Sequence, residues 1–280
     1  MSEPLLQVEN LAKRFEGIVA TDNLSLNVAA GELHAIIGPN GAGKTTLIAQ
    51  LGGQLAPDSG RIHFAGNDIT ALPMYRRSRL GLARSFQITS LFLDLSVLDN
   101  VALAVQARAG HSFHFWSDAR LEMELRQPAR AALERVGLDG RADLPASALS
   151  HGEHRQIELA MALASLPRML LLDEPMAGLG PEESARMVGM LRALKKEVTI
   201  LLVEHDMEAV FALADRITVL VYGRVIASGP CAMLIWARPR RRAPAMADNV
   251  LEVAAIETCY GLSRCCSACR CRLRPAKWSR

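Results

Sequence analysis

The sequence predicts an α/β fold with a mainly parallel β-sheet covered by helices, and three apolar runs are the main reason. Each run is short, mostly aliphatic and typical of a strand that is buried on both faces of a sheet. The runs are HAIIG (34–38), RMLLLDE (168–174) and EVTILLVEH (197–205). Helical patterns lie between these runs, and strands that alternate with helices form parallel sheets.

The remaining elements are predicted from turn residues and from the spacing of apolar positions. Two of them are hairpins, because a turn residue separates two apolar stretches. In chain order the elements are short strands within 5–37 with a turn at Ala30-Gly31, a helix from Lys44 through Leu51, a hairpin over 61–69 with Gly66-Asn67 as its turn, a helix-rich region at 97–136, a helix from Pro181 to Lys195, and a hairpin over 217–229 with Gly223 in its turn.

The composition is that of a globular protein in water. The chain has 280 residues, of which 50% are hydrophobic and 22% charged, enough for one large domain or two intimate lobes. The sequence has no run of 18 apolar residues, so it predicts no transmembrane helix. The start, MSEPLLQVEN, lacks the basic and apolar regions of a signal peptide, so we expect a cytoplasmic protein.

The last 50 residues have a different composition from the rest. Residues 231–280 carry 10 of the 32 Lys and Arg but 3 of the 29 Asp and Glu. The six cysteines of the chain also lie there, at Cys231, Cys259, Cys265, Cys266, Cys269 and Cys271. The sequence therefore divides into a domain at 1–230 and a basic, Cys-rich tail at 231–280.

A phosphate-binding loop is predicted at GPNGAGKTT, which matches G-x-x-x-x-G-K-[ST] between a strand and a helix. Its glycines let backbone amides surround phosphate, Lys44 reaches the β- and γ-phosphates, and Thr45 offers its hydroxyl to Mg²⁺. The alternative is a Gly-rich turn before an ordinary helix, which the strand and helix context disfavours. The residues expected to bind the nucleotide are Gly38, Pro39, Asn40, Gly41, Ala42, Gly43, Lys44, Thr45 and Thr46.

Three further polar residues follow predicted strands, at the sheet edge where ligands of such folds bind. Asp173 can hold Mg²⁺ directly or through water. Glu174 is expected to point the other way, because neighbours on a strand alternate, and to orient or deprotonate water. His205 is expected to donate to the γ-phosphate, although a lone histidine is more often structural. A solvated turn before Pro175 is the alternative for the Asp-Glu pair.

The stretch LSHGEHRQ (149–156) starts a helix with a capping box, in which Ser150 caps and Glu153 reaches back. Capping does not explain Gly152, a poor helix former in the first turn. Backbone N–H groups at a helix N-terminus that no side chain covers can also bind phosphate. Two other residues carry no functional signal when taken alone. Phe15 would be interpreted as a core residue and Gln87 as a surface residue.

Taken together, these segments resemble the ATP-binding subunits of ABC transporters over about residues 5–230. The matching segments follow the family's order: the phosphate loop (38–46), Gln87, LSHGE (149–153), LLLDEP (170–175), AGLGPEE (177–183) and VEHDM (203–207). The resemblance implies a RecA-like P-loop NTPase core with an antiparallel β subdomain and an α-helical subdomain at about 88–165.

The resemblance also implies ATP and Mg²⁺ as cofactors and a catalytic site shared between two subunits. Phe15 would stack on the base, and Glu174 and His205 would be the catalytic residues. Mg²⁺ would be held by Thr45, Gln87 and Asp173. Ser150, Gly152 and Glu153, the signature, would contact ATP that is bound by a second ATP-binding subunit, identical or different.

The finer resemblance is to the branched-chain (hydrophobic) amino acid uptake subfamily, carried by ARSFQITSLFLDLSVLDNVALA (83–104), AGLGPEE and LLVEHDM. It implies a peripheral subunit at the cytoplasmic face of the inner membrane, paired under two membrane-spanning permease subunits that a periplasmic solute-binding protein supplies. No specific nucleic acid is expected, and related systems carry urea or other amides. Gly180 stands where the wider superfamily often has Asp, so a side-chain contact across the dimer is missing.

The tail fits no part of this family. LEVAAIETCYG (251–261) echoes LQVENLAKRFEG (6–17), which suggests a reading-frame shift near residue 231 into a neighbouring transporter gene. Zinc binding by Cys266, Cys269 and Cys271 is an alternative, but the spacing is irregular and a zinc site wants four ligands. A basic arm that binds nucleic acid is a second alternative. We expect the tail to be disordered.

Two other functions stay open. A soluble ABC ATPase acting on nucleic acid or ribosomes usually has tandem domains or a long coiled coil, and the roughly 100 residues between Thr46 and Leu149 show no sustained heptads. A defective product would result if the altered tail spoiled folding. A metal site at His111 and His114 is disfavoured, because two histidines make no site.

Overall fold

The computed structural model describes residues 3–85, 91–109 and 122–232, which belong to one compact unit that spans Met1–Met233. The predicted α/β class is confirmed, with two β-sheets and seven α-helices in the described part of the chain. None of the helices in that part has the length and apolar character needed to span a bilayer.

The smaller sheet is antiparallel, in the order β2-β1-β4-β5. Its strands are β1 (Leu6–Phe15), β2 (Ile18–Val28), β4 (Ser59–Phe64) and β5 (Asn67–Asp68). The turn between the last two is at Ala65-Gly66, one residue earlier than predicted. The reason is backbone geometry: φ is +50° at Ala65 and +79° at Gly66, and a tight two-residue hairpin turn needs positive φ at both central residues.

The larger sheet is parallel except at one edge, in the order β10-β9-β3-β8-β7-β6. Its strands are β3 (Leu33–Ile37), β6 (Leu82–Arg84), β7 (Met169–Asp173), β8 (Thr199–Val203), β9 (Arg216–Val221) and β10 (Arg224–Pro230). Every residue of β3, β7 and β8 is buried, which confirms the three apolar runs as central strands. Only β10 runs antiparallel to its neighbour.

The helices cover the larger sheet and form a separate helical layer. They are α1 (Lys44–Gly52), α2 (Met74–Arg79), α3 (Val97–Ala109), α4 (Met123–Arg135), α5 (His151–Ala164), α6 (Pro181–Leu194) and α7 (Met207–Leu213). Within the helical layer α3, α4 and α5 pack against one another. This layer accounts for the helix-rich region that the sequence predicts.

Helix α1 joins the two sheets through one hydrophobic cluster. Leu47 and Leu51 are at most 1% exposed and belong to the same cluster as Leu24 and Phe64 of the smaller sheet and Ile36 of the larger. Burial of apolar side chains on two sides therefore fixes this helix, and with it the loop that precedes its first turn.

Candidate active site

The phosphate loop connects β3 to α1, and its glycines have a packing reason as well as a ligand-binding one. Gly43 adopts φ +99°, and a Cβ there would overlap the carbonyl oxygen of Ala20. Gly38 is equally tight against the carbonyl oxygen of Leu220. The loop is thus wedged between the two sheets, with Pro39 exposed at its tip.

Lys44 begins α1 and is 7% exposed. Its Nζ donates to the carbonyl oxygens of Gly38 at 2.8 Å and Pro39 at 3.1 Å. Burial lowers the pKa of Lys44, while the negative charges of Glu174 and Asp173 partly oppose the shift. The ammonium group is therefore held over the loop, facing the two carboxylates at the neighbouring strand end.

The far end of α1 is held by Arg77, a residue that the sequence analysis did not single out. Its guanidinium is 2% exposed and donates to the carbonyl oxygens of Gln50 and Leu51, both at 2.7 Å, and also to those of Leu72 and Thr70. Burial lowers its pKa to about 10. A cation at a helix C-terminus stabilises the helix dipole, so Arg77 complements the phosphate site at the other end.

Asp173 ends β7 with a side chain that is 1% exposed. Arg84, the last residue of β6, donates through Nη2 to Asp173 Oδ2 at 3.3 Å and through Nη1 to Gln54 Oε1. Burial raises the pKa of Asp173, and the charge of Arg84 opposes that rise. Among the described residues, Asp173 Oδ1 is buried and has no hydrogen-bond partner. A free carboxylate oxygen at this point fits a ligand of Mg²⁺ or of its water shell, together with the hydroxyl of Thr45.

Glu174 lies just beyond the strand in the left-handed region, with φ +50°. Strand alternation therefore does not set the direction of the Glu174 side chain. The turn sets it. Its N–H donates to the carbonyl oxygen of Val203 at 2.9 Å, which ties this turn to β8. A left-handed glutamate is strained, and such strain is typical of functional sites.

His205 follows β8 and lies beside Glu174, as the sheet topology predicts. Its Nδ1 is 4.0 Å from Glu174 Oε1 and 3.7 Å from Glu204 Oε2. The imidazole is 49% exposed and the Glu174 side chain 33%, whereas Glu204 is fully buried. A water or phosphate oxygen can therefore reach both His205 and Glu174 from the open side of the sheet edge.

The signature has the predicted capping box. Ser150 Oγ accepts from the N–H of Glu153 at 3.3 Å, and Glu153 Oε2 accepts from the N–H of Ser150 at 2.8 Å. Gly152 is buried against the Glu183 side chain of its own chain. Glu183 Oε2 in turn accepts from the N–H of Gly180 at 3.2 Å and so caps α6.

The signature lines a cavity that the phosphate loop does not reach. Ser150 and Gly152 line a cavity of about 860 Å³ together with Glu183 and residues of α4 and α6. None of the phosphate-loop residues 38–46, all of which are described, lines that cavity. A nucleotide cradled by Lys44 would therefore not contact Ser150 through this cavity.

Phe15 ends β1 and is 45% exposed, as an aromatic platform for a base requires. Lys13 Nζ lies 5.7 Å from the centre of its ring and pairs with Asp58 at 2.6 Å. Several other predictions lie outside the described residues: Gln87, the histidines His111 and His114, and the cysteines Cys259, Cys265, Cys266, Cys269 and Cys271. Cys231 is described and is 7% exposed.

The chain is similar in sequence to known proteins. The family described as "ABC transporter" matches residues 21–177. The high-affinity branched-chain amino acid transport ATP-binding protein BraF of Pseudomonas aeruginosa is 37% identical over 236 residues, covering 82% of this chain and 92% of BraF.

Two solved structures extend the similarity to the fold. A nucleotide-free ATP-binding cassette from an ABC transporter has a TM-score of 0.74 at 30% identity, covering 84% of this chain and 96% of that one. A dimeric cassette in a post-hydrolysis state, bound to ADP and phosphate, has a TM-score of 0.68 at 25% identity, covering 81% and 98%.

Proposed function

The chain belongs to the ABC transporter family, and we propose that it is the ATP-hydrolysing subunit of an importer of branched-chain amino acids or related small solutes. One observation carries the hydrolytic part of the proposal. Three segments of the chain meet at the carboxyl edge of one parallel sheet, where such folds bind ligands. They contribute Lys44, the neighbours Asp173 and Glu174, and His205.

The proposed chemistry assigns a role to each of these side chains. Lys44 binds the β- and γ-phosphates of ATP, and backbone amides of the loop surround them. Asp173 and Thr45 would hold Mg²⁺, which would neutralise charge on the phosphates. Glu174 orients the attacking water and accepts its proton. His205 donates to the γ-phosphate, which places the water and the phosphorus along one line.

A second subunit is needed because half of the site lies elsewhere on the chain. Ser150, at the exposed start of α5, lines a cavity that none of the phosphate-loop residues lines, so it is available to the γ-phosphate held by a partner. The dimeric cassette bound to ADP and phosphate supports this arrangement by similarity. In our proposal ATP joins two such chains, or this chain and a related one, and hydrolysis releases them.

An apolar groove supports docking to permease subunits at the membrane. The groove holds about 350 Å³ and lies between α2, α3 and α5. Met74 and Tyr75, on its rim, are 42% and 56% exposed. Arg84, which pairs with Asp173, also lines the groove. A helix from a membrane subunit would bury this apolar surface and, through Arg84, touch the hydrolytic site.

The proposed place of action is the cytoplasmic face of the inner membrane, with the chain as a peripheral subunit. The solute proposal rests on BraF, whose name specifies branched-chain amino acids. The solute itself would meet the solute-binding protein and the permease subunits. Substrate choice would therefore belong to those partners.

The test is reconstitution of the full chain with the permease subunits encoded beside its gene. Vesicles loaded with ATP and Mg²⁺ should take up radiolabelled leucine when the solute-binding protein is present, and Lys44→Ala should abolish uptake. Uptake of labelled urea and acetamide, measured in the same way, tests the related small solutes. Lack of any uptake, together with ATPase activity that nucleic acid or ribosomes stimulate, would instead identify a soluble ABC ATPase.

A further inference from the structure

Glu204 is a buried carboxylate between two segments of the proposed active site. It follows β8 directly and precedes His205, and its side chain is 0% exposed. Oε1 accepts from the N–H of Met176 at 3.0 Å. Oε2 accepts from the N–H of His205 at 3.0 Å and from the N–H of Asp206 at 3.4 Å.

The two oxygens bind two different parts of the chain. Met176 lies two residues after Glu174, in the turn that leaves β7, whereas His205 and Asp206 form the turn that leaves β8. The same two turns are joined once more by the Glu174 N–H, which donates to Val203. One side chain therefore completes a clamp that sets how far Glu174 lies from His205, with 4.0 Å between Glu174 Oε1 and His205 Nδ1.

The chemistry of this clamp needs a carboxylate. All three partners are N–H donors, so an acceptor is required on both terminal atoms of the side chain. Glutamine is the nearest neutral shape, but its NH₂ group would face a donor and leave at least one backbone N–H unpaired. Burial raises the pKa of Glu204, and its three backbone hydrogen bonds oppose the rise.

We propose that Glu204 is a positioning residue for ATP hydrolysis, which holds the turn of Glu174 and the turn of His205 in the alignment that the attacking water requires. The inference rests on the proposed function. Glu204 itself is sealed from solvent. It acts through the backbone, and a displacement of about 1 Å in such an alignment costs on the order of 100-fold in rate.

The first experiment compares Glu204→Gln with Glu208→Gln in the full chain. Glu208 is an exposed carboxylate four residues later, so its loss should leave ATPase activity within twofold. Glu204→Gln should lower kcat by about 10- to 100-fold and change KM for ATP by less than threefold, because no nucleotide-contacting group is removed. An unchanged kcat in Glu204→Gln would overturn the proposal, provided that the wild-type chain hydrolyses ATP.

The second experiment separates positioning from general stability. In a His205→Ala background, Glu204→Gln should cost clearly less in kcat than in the wild-type background, because one of the two residues to be aligned is absent. Equal losses in both backgrounds would show that Glu204 only stabilises the fold. If Glu204→Gln does not fold, Glu204→Asp keeps both oxygens and serves in its place. It should bind a fluorescent ATP analogue normally and hydrolyse ATP slowly, and normal hydrolysis would overturn the proposal.

Failure of the proposed function gives a different result. A wild-type chain that neither binds nor hydrolyses ATP would refute that function, and with it any role of Glu204 in hydrolysis. A wild-type chain that hydrolyses ATP, beside a Glu204→Gln variant that does so equally well, refutes only the role of Glu204.

Discussion

A Cβ on Gly152 would lie 2.5 Å from Oε1 of Glu183, so the signature helix and the start of α6 are in contact through a glycine. The capping box of Ser150 and Glu153 leaves this glycine unexplained, and a ligand from a partner subunit is only half of the explanation. Its own chain already occupies the space that a side chain would need.

We predict that Gly152→Ala lowers ATPase activity at least tenfold and also destabilises the fold, because Glu183 must move and its cap on Gly180 is disturbed. Steady-state ATPase and thermal unfolding measure the two effects. The matched control is Gly189→Ala in α6. A Cβ there meets nothing within 4 Å, so the change should stabilise the helix by about 0.5–1 kcal/mol.

The double variant Gly152→Ala/Glu183→Ala separates the two reasons for the glycine. Removing the Glu183 carboxylate relieves the internal overlap, so stability should return toward that of Glu183→Ala alone. ATPase activity should stay low, because a partner's phosphate still needs the bare backbone. Full recovery of activity would contradict a phosphate contact at Gly152.

We expect Glu174→Gln to bind ATP with normal affinity and to hydrolyse it about 100- to 10,000-fold more slowly, since only the proton acceptor is lost. Trapped ATP should then hold two chains together, and gel filtration with ATP and Mg²⁺ should show a dimer. Glu124→Gln, an exposed carboxylate on α4, is the control and should behave as wild type. Hydrolysis by Glu174→Gln at the normal rate would remove its assigned role.

Arg77→Met should destabilise the chain by about 3 kcal/mol or more, because buried carbonyl groups at the end of α1 lose their donor. Urea unfolding followed by circular dichroism measures the change. Arg79→Met, an exposed arginine two residues away, should cost less than about 0.5 kcal/mol. Similar losses in both variants would mean that Arg77 does not anchor the helix.

Arg84→Met should leave the Asp173 carboxylate buried without its cation and cost about 3–5 kcal/mol of stability. In the double variant Arg84→Met/Asp173→Asn no charge is left unpaired, so most of that stability should return. ATPase activity should remain lost, because the proposed Mg²⁺ ligand is gone. A double variant no more stable than Arg84→Met would argue against the ion pair as the cause.

Much of the site could be predicted because its parts are local. The loop at 38–46 is a contiguous motif, and the box of Ser150 and Glu153 depends on side chains three residues apart. The three central strands were evident from their aliphatic runs. The direction of Glu174 could not be predicted, because it follows from a left-handed turn that alternation along a strand does not describe.

The residues that were missed act over long separations in sequence. Arg84 and Asp173 are 89 residues apart, Glu204 and Met176 are 28 apart, and Arg77 and Gln50 are 27 apart. The missed residues Arg84, Glu204 and Arg77 are of charged types that are common in the chain, so composition and spacing do not distinguish them. Burial distinguishes them, and burial depends on which strands and helices become neighbours.

The sequence by itself determined the family, the α/β class and the phosphate loop, and it predicted the proposed catalytic side chains after β7 and β8. These follow from residue types at short, fixed spacings, which act through neighbouring backbone. Only the tertiary structure decided the strand order β9-β3-β8-β7-β6, and with it the Arg84–Asp173 pair, the Gly152–Glu183 contact and the Glu204 clamp. The physical reason is that a buried polar group must find its partner wherever packing brings one, however distant it is along the chain.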